Sequence, residues 1–338
     1  MFPFHVIKGP VVRDIITRAR PEIVALVRET YLAHHTGHSV NPNSYFLRFP
    51  EKPNARIIAL PAYLGEKHDV AGLKWIGSFP DNIERNVPRA SAVLLLNSYE
   101  TGYPFACVEA SQISAARTAA SAVLGARELV GGTQVGTVSV IGAGIIARNI
   151  SEFFLAEGWS INRFVIHDHS PQYSSSLVEY LRNQGQEAVC AENVEATLKG
   201  ADVVVFATTA GKPHVTRPDS FVAGQIVLNI SLRDLGPEVI LNARNVLDDV
   251  DHCMTANTSP HLAEQKYGHR DFIDGTLSQV MCGEVTVDTD RPTIFSPFGL
   301  GVLDLAVGNH VYRKALEEGL AVEITDFFDE TERWRSHS

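Results

Sequence analysis

The stretch Thr137–Asp168 reads TVSVIGAGIIARNISEFFLAEGWSINRFVIHD. Its β-branched run (Val138, Val140, Ile141) breaks at Gly142. Ile146, Ile150, Phe153 and Phe154 then recur at helical spacing, and a second apolar run, Phe164 to Ile166, ends at Asp168. Strand, glycine turn, helix, strand and acid form the fingerprint of a dinucleotide-binding unit. Gly142 permits the tight turn. Gly144 leaves room for a pyrophosphate against the N–H groups of the helix start, with Ala143, Ile145 and Ile146 forming the rest of the cradle. Ala147 stands where the third glycine usually lies. Asp168 follows Gly144 by 24 residues, near the usual spacing of about 20, and suits a ribose 2′-hydroxyl. Its carboxylate repels a 2′-phosphate, and His167, His169 and Ser170 include no arginine. NAD rather than NADP is therefore the expected cofactor. The competing reading is a structural turn in some other α/β protein.

Beyond Asp168 strands and helices alternate. Helices are expected at Ser174–Asn183 and Val194–Lys199. Strands are expected at Ala188–Cys190, Val203–Ala207, Gln225–Ile230 and Val246–Asp248. That rhythm implies a doubly wound, Rossmann-type parallel sheet. Thr208, Thr209 and Asn229 to Ser231 fall at strand ends, where such a sheet binds its ligand, so they should line the nucleotide.

Upstream the pattern changes. Residues 11–36 suggest two helices, with Pro21 in the first turn of the second. Residues 44–108 suggest a mostly antiparallel sheet punctuated by prolines, with a hairpin turn at Glu100-Thr101-Gly102. An alanine-rich helix from Ser111 to about Val130 closes on Gly131-Gly132, and a last helix is expected over Val302–Glu318. The fold class is thus α/β: a Rossmann domain over 121–302, plus an α+β domain over 1–120 completed by 303–338.

The 338 residues carry a net charge of −10 without a basic run, which speaks against nucleic acid or an anionic membrane as partner. No apolar run approaches the roughly 20 residues of a membrane span, and no signal-peptide pattern opens the chain. Cys107, Cys190, Cys253 and Cys282 are scattered, as free thiols in a reducing cytoplasm would be. His34, His35 and His38 lack spaced carboxylate or cysteine partners, so no metal is expected there.

Four charged residues stand in apolar or small surroundings. Arg117 shares a helix face with Ile113, Ala120 and Leu124, and a buried guanidinium needs an anion. Its donor fork suits a substrate carboxylate; the alternative is a structural salt bridge to a protein acid. Lys74, in AGLKWIG, shares a strand face with Gly72 and Ile76. Arg48 is either a ligand or a solvated edge-strand charge. Asp234 follows a buried strand and suits a general base near a nicotinamide, or an ordinary loop position ahead of Pro237.

These residues carry a resemblance. The motifs GLKWI with a following Pro80-Asp81-Asn82, ETGYP, AARTAA, VIGAGIIA and Asp234 after its strand are similar to those of the ornithine cyclodeaminase/μ-crystallin family, along essentially the whole chain. The resemblance implies that Lys74 and Arg117 hold a substrate α-carboxylate, with Asn82 nearby. It also implies that Asp234 is the catalytic acid/base, that Lys74 shares the catalytic site, that the domain over 1–120 with 303–338 serves substrate binding and dimerisation, and that the protein is a homodimer. Where family members carry Pro-x-Arg, this chain has Pro42-Asn43-Ser44; Ser44 takes the position and Arg48 is the candidate substitute. The late segment FSPFGLGVLDLA, with YFLRFPEKP, RIIALPA and PRASAVLLLN, is similar to a subgroup serving 2,3-diaminopropionate biosynthesis for siderophores. That subgroup implies NAD-dependent oxidation of N-(2-amino-2-carboxyethyl)-L-glutamate. Ornithine cyclisation, imine or keto-acid reduction, and a non-catalytic nucleotide-binding role remain the alternatives.

Overall fold

The computed structural model of the protein describes residues 2–329. The chain opens with β1 (His5–Ile7), α1 (Gly9–Arg18) and α2 (Arg20–His35). Six strands follow: β2 (Ser39–Val40), β3 (Tyr45–Phe49), β4 (Lys52–Leu64), β5 (Val70–Ser78), β6 (Ala90–Ser98) and β7 (Pro104–Glu109), with a 3-10 helix at Pro80–Arg85. The helix α3 (Ser111–Val130) leads to β8 (Gln134–Ile141), α4 (Ile145–Ala156), β9 (Ser160–His167), α5 (Pro171–Asn183) and β10 (Ala188–Cys190). Next come α6 (Val194–Leu198), β11 (Val203–Phe206), β12 (Ile226–Asn229), α7 (Pro237–Leu241), β13 (Arg244–Leu247), α8 (Val250–Cys253) and α9 (Ser259–Tyr267). The chain closes with β14 (Ile273–Thr276), α10 (Leu277–Met281), β15 (Thr293–Ser296), α11 (Gly301–Glu317) and β16 (Val322–Glu323).

Two compact units result. One holds the residues up to Ala19, Leu32–Arg117, and those from Gly301 on; the other holds Arg20–Tyr31 and Thr118–Leu300. The front of α2 thus groups with the second unit, where the sequence had all of 1–120 in one domain. Side chains and backbone explain it: the Tyr31 hydroxyl lies 2.7 Å from Ser121 Oγ, and Ser278 Oγ donates to the Tyr31 carbonyl at 3.0 Å. Of the expected completion over 303–338, residues 330–338 lie outside the described residues.

In the first unit the strands are ordered β16-β1-β7-β6-β5-β4-β2, with β3 also on β4. Neighbours pair antiparallel except β1 on β7. The strand β4 runs through Pro61, further than the proline-punctuated sequence suggests. Pairing with β3 ends at Ala59 and pairing with β2 begins at Tyr63, so Pro61 falls where β4 is locally an edge and needs no donor on that side. Alternation sorts the residues by face. Leu60, Lys74 and Leu94 are in register and buried. Helix α11 packs on this face at close range. A Cβ on Gly72 would lie 2.7 Å from Leu305 and 2.3 Å from the Leu95 carbonyl oxygen, and one on Gly308 would lie 2.0 Å from Leu94.

In the second unit the order is β10-β9-β8-β11-β12-β15-β13-β14, parallel throughout. This is the doubly wound sheet expected from the alternating pattern, with its order reversing at the β8–β11 boundary. Val204, Phe206, Val227, Leu247 and Ile294 build its core. The short strand β15 inserts between β12 and β13 and was not read from sequence, because TIFS between Pro292 and Pro297 shows no alternation. Among the described residues no helix is long and apolar enough to cross a membrane.

Candidate functional site

The carboxyl ends of β8, β11 and β12 face one way in the second unit, where an open parallel sheet binds its ligands. Gly142 ends β8 at φ +90°, and a Cβ there would stand 2.5 Å from the Ala207 carbonyl oxygen, so only glycine fits. Gly144 is the N-cap of α4 and supplies no side-chain cap. The first N–H groups of this 12-residue helix, from Ile145 and Ile146 onward, are thus left for an anion. A Cβ on Gly144 would meet nothing within 4 Å, and Ile145 is exposed. Asp168 closes the turn: one carboxylate oxygen accepts from the Ala143 N–H at 2.7 Å, the other from the Ser170 N–H at 2.8 Å. This donor set fits a dinucleotide pyrophosphate.

At the ends of β11 and β12 lies a second group. The Asp234 side chain is 0% exposed. Thr208 Oγ1 donates to its Oδ1 at 2.5 Å, Ser231 Oγ donates to Oδ2, and His214 Nε2 lies 2.8 Å from Oδ1. Three partners offset the cost of burying the carboxylate. Thr208 and Ser231, expected to line a nucleotide, both hydrogen-bond Asp234. Asn229 turns inward to Ser296 Oγ at 3.1 Å, and Thr209 is exposed. The turn that returns Asp234 beneath Ser231 places Leu232 at φ +76°, a left-handed conformation costing about 1–2 kcal/mol for a side chain of this size. Ser259 steadies it, its N–H on the Leu232 carbonyl at 2.7 Å and its Oγ accepting from the Leu235 N–H at 3.2 Å.

The first unit holds the cationic group. Lys74, mid-strand on β5, is 1% exposed, and its Nζ donates to Asp304 Oδ2 at 2.5 Å and to Ser114 Oγ at 3.2 Å. Arg117, one turn beyond Ser114 on α3, donates through Nε to Asp304 Oδ1 at 3.2 Å. Asp304 is itself fully buried on α11. The protein acid weighed for Arg117 is thus Asp304, and it takes Lys74 as well. Two cations around one anion leave a net positive charge. The engagement of Arg117 runs through Nε; among the described residues nothing hydrogen-bonds its two Nη groups, and the side chain keeps 12% exposure. Burial pushes the Lys74 ammonium down to about 8, against the raising effect of Asp304 and with a further lowering by Arg117.

The remaining sequence candidates lie apart. Arg48 is exposed on β3, stacked over the Phe46 ring at 5.3 Å and in register with Arg56. Arg56 sits four residues along β4 from Leu60, the partner of Lys74, so Arg48 is displaced by roughly 13 Å along the strands. The structure does not bring it to Lys74. Ser44 is part-buried in the loop before β3. Asn82 donates its side-chain amide to the Pro88 carbonyl at 3.2 Å, tying down its own loop. Two residues of these groups escaped the sequence. Asp304, in GVLDLAV, carried the visible signal of an acid in an apolar helix; His214, in GKPHV, carried none beyond lying near a strand end.

Known proteins resemble the chain along most of its length. The chain is 30% identical over 311 residues to the N-((2S)-2-amino-2-carboxyethyl)-L-glutamate dehydrogenase of Staphylococcus aureus, covering 89% of this chain and 92% of that one. A Δ1-pyrroline-2-carboxylate reductase of Thermococcus litoralis, solved with NADH and L-proline, superposes with a TM-score of 0.87 at 22% identity, over 95% of this chain and all of that one. An archaeal alanine dehydrogenase dimer with bound NAD gives 0.86 at 25% identity, over 96% and 100%. The sequence profile of the ornithine cyclodeaminase/mu-crystallin family matches residues 15–319, nearly the whole length, and the chain belongs to that family.

Proposed function

We propose that the protein is an NAD-dependent oxidoreductase acting on the CH–NH bond of an amino-acid conjugate, N-(2-amino-2-carboxyethyl)-L-glutamate. Oxidation at the glutamate Cα and hydrolysis of the resulting imine would release 2-oxoglutarate and L-2,3-diaminopropionate. The observation that carries the reading is the Arg117 guanidinium, part-buried beside Lys74 with its Nη edge unspent. A planar pair of donors in a net-positive pocket is what a carboxylate requires, and this substrate has three. The identity to the staphylococcal dehydrogenase supports the choice of conjugate.

NAD, when bound, supplies the hydride acceptor. The N-terminus of α4, Gly144 and Asp168 would hold it, and the Asp168 carboxylate would disfavour a 2′-phosphate. The chain's own task is proton transfer. A secondary amine must be neutral to release hydride, so a base has to take its proton, and the Asp234 group serves that step and the activation of water. We further infer a homodimer. Tyr45, Trp75 and Val93 form an exposed cross-strand row with Ala59 on the sheet face opposite Lys74. A cytoplasmic location suits the four free cysteines.

The test is direct. Purified protein is given NAD and the glutamate conjugate, NADH is followed by absorbance and the products are identified by mass. Stoichiometric NADH with 2-oxoglutarate and diaminopropionate is the expected result. Ornithine consumed with ammonia release and no net NADH would point to cyclodeaminase chemistry. Tighter binding of NADP than NAD in parallel titrations would refute the cofactor assignment.

A further inference from the structure

We infer that His214 and Asp234 act as a proton-carrying dyad, with the imidazole of His214 as the group that exchanges protons with substrate and Asp234 as its positioning residue. The inference rests on the oxidoreductase reading and names the side chain through which its proton leaves.

The argument begins with access. Asp234 is 0% exposed and its carboxylate is engaged on both oxygens, by Thr208 and His214 on one and by Ser231 on the other. A carboxylate held in this way is poorly placed to reach a substrate amine. His214 is 30% exposed, so the open edge of the pair belongs to the imidazole. With Nε2 turned to Asp234, Nδ1 is the nitrogen left to take a proton.

The backbone also locks the two residues together. The His214 and Val215 N–H groups both donate to the Asp234 carbonyl, at 2.9 and 3.0 Å, and the Gly236 N–H donates to the Val215 carbonyl at 2.8 Å. Val215 and Leu235 form a parallel bridge. The loop after β11 and the loop after β12 are thereby clasped, which sets imidazole and carboxylate at fixed separation. Phe206, at the end of β11, places its ring 6.2 Å from that of His214.

Asp234 is the charged group in contact with His214. On its own loop Lys212 is exposed and Arg217 is paired with Asp219. On the facing loop Arg233 donates to the Ala256 carbonyl. In the step itself, Nδ1 of neutral His214 accepts the proton of the substrate nitrogen. The imidazolium that forms keeps its Nε2 proton on the Asp234 carboxylate, which stabilises the charge. The same proton later passes back through His214 during imine hydrolysis. A carboxylate that orients and stabilises an imidazole without itself being protonated is an arrangement proteins use for acid–base work.

Two measurements decide it. First, kcat/KM against pH is recorded for the wild type and His214→Gln, using the glutamate conjugate, ornithine, alanine and proline. The wild type should show an acid limb, because the imidazole must be unprotonated to accept a proton. His214→Gln should lack that limb and turn over about 10²- to 10⁴-fold more slowly. Second, the His214 ring is titrated by NMR in the ligand-free wild type and in Asp234→Asn. Removing the carboxylate should change how the ring titrates. If NADH forms but His214→Gln keeps the acid limb and rate of the wild type, the functional reading stands and the dyad is wrong. If no candidate is oxidised, the functional reading fails. The NMR comparison then still judges the pair: equal titration in both proteins overturns it, and an altered titration in Asp234→Asn upholds it.

Discussion

Arg117 is the side chain we propose to be both structural and functional. Its Nε donates to Asp304, and its Nη edge is the part we propose for a ligand. A charge-assisted contact is worth about 1.5–3 kcal/mol. Arg117→Ala should therefore lower kcat/KM by roughly one to two orders of magnitude; an unchanged value would remove the residue from the site. Lys74 adds a pH signature. Its ammonium is pushed down to about 8, so the charge that holds a carboxylate is full below that pH and fades as pH rises through it. The kcat/KM profile should turn down near pH 8. In Lys74→Arg that limb should move out of range, because a guanidinium does not deprotonate; a limb that persists belongs to the substrate amine. Asp304 is the counter-ion of both. Asp304→Asn would leave two buried cations facing each other and should cost about 3–5 kcal/mol in chemical denaturation, with the effect eased at high pH as Lys74 sheds its proton.

At the scale of elements, the cationic group exists because α11 lies close on β5 and β6. Glycines make the approach. At Gly72 an added methyl would strike the Leu95 carbonyl oxygen, which is backbone and cannot step aside as a side chain could. Gly72→Ala should destabilise by about 1–3 kcal/mol, read as a shifted urea midpoint. It should also weaken substrate binding, since moving α11 outward carries Asp304 away from Lys74. A Gly72→Ala protein with wild-type midpoint and KM would show that the helix tolerates a wider seat.

For the whole molecule, the sheet of the first unit presents two unlike faces. One is covered by α11 and hides Lys74. The other leaves Trp75, Tyr45, Leu47 and Val93 exposed. An apolar face this continuous is a liability in a lone chain and an asset in an assembly. Trp75→Glu should turn a dimer into monomers in light scattering at micromolar concentration; a monomeric wild type would overturn the homodimer outright. The overall charge of −10 sharpens the contrast with the site.

What the sequence determined by itself was local. Gly142, Gly144, Ala147 and Asp168 sit within one βαβ unit, where period and turn chemistry act between near neighbours, and the doubly wound sheet followed from the same rhythm. Lys74 and Arg117 stood out because a charge inside an apolar run is visible without knowing its partner. The partners themselves needed the folded chain. Asp304 reaches Lys74 across 230 residues and Arg117 across 187, and His214 meets Asp234 across two loops 20 residues apart. Such pairs have no period to betray them. Their hydrogen bonds form only once sheet order, strand register and the seating of a helix have set the distances.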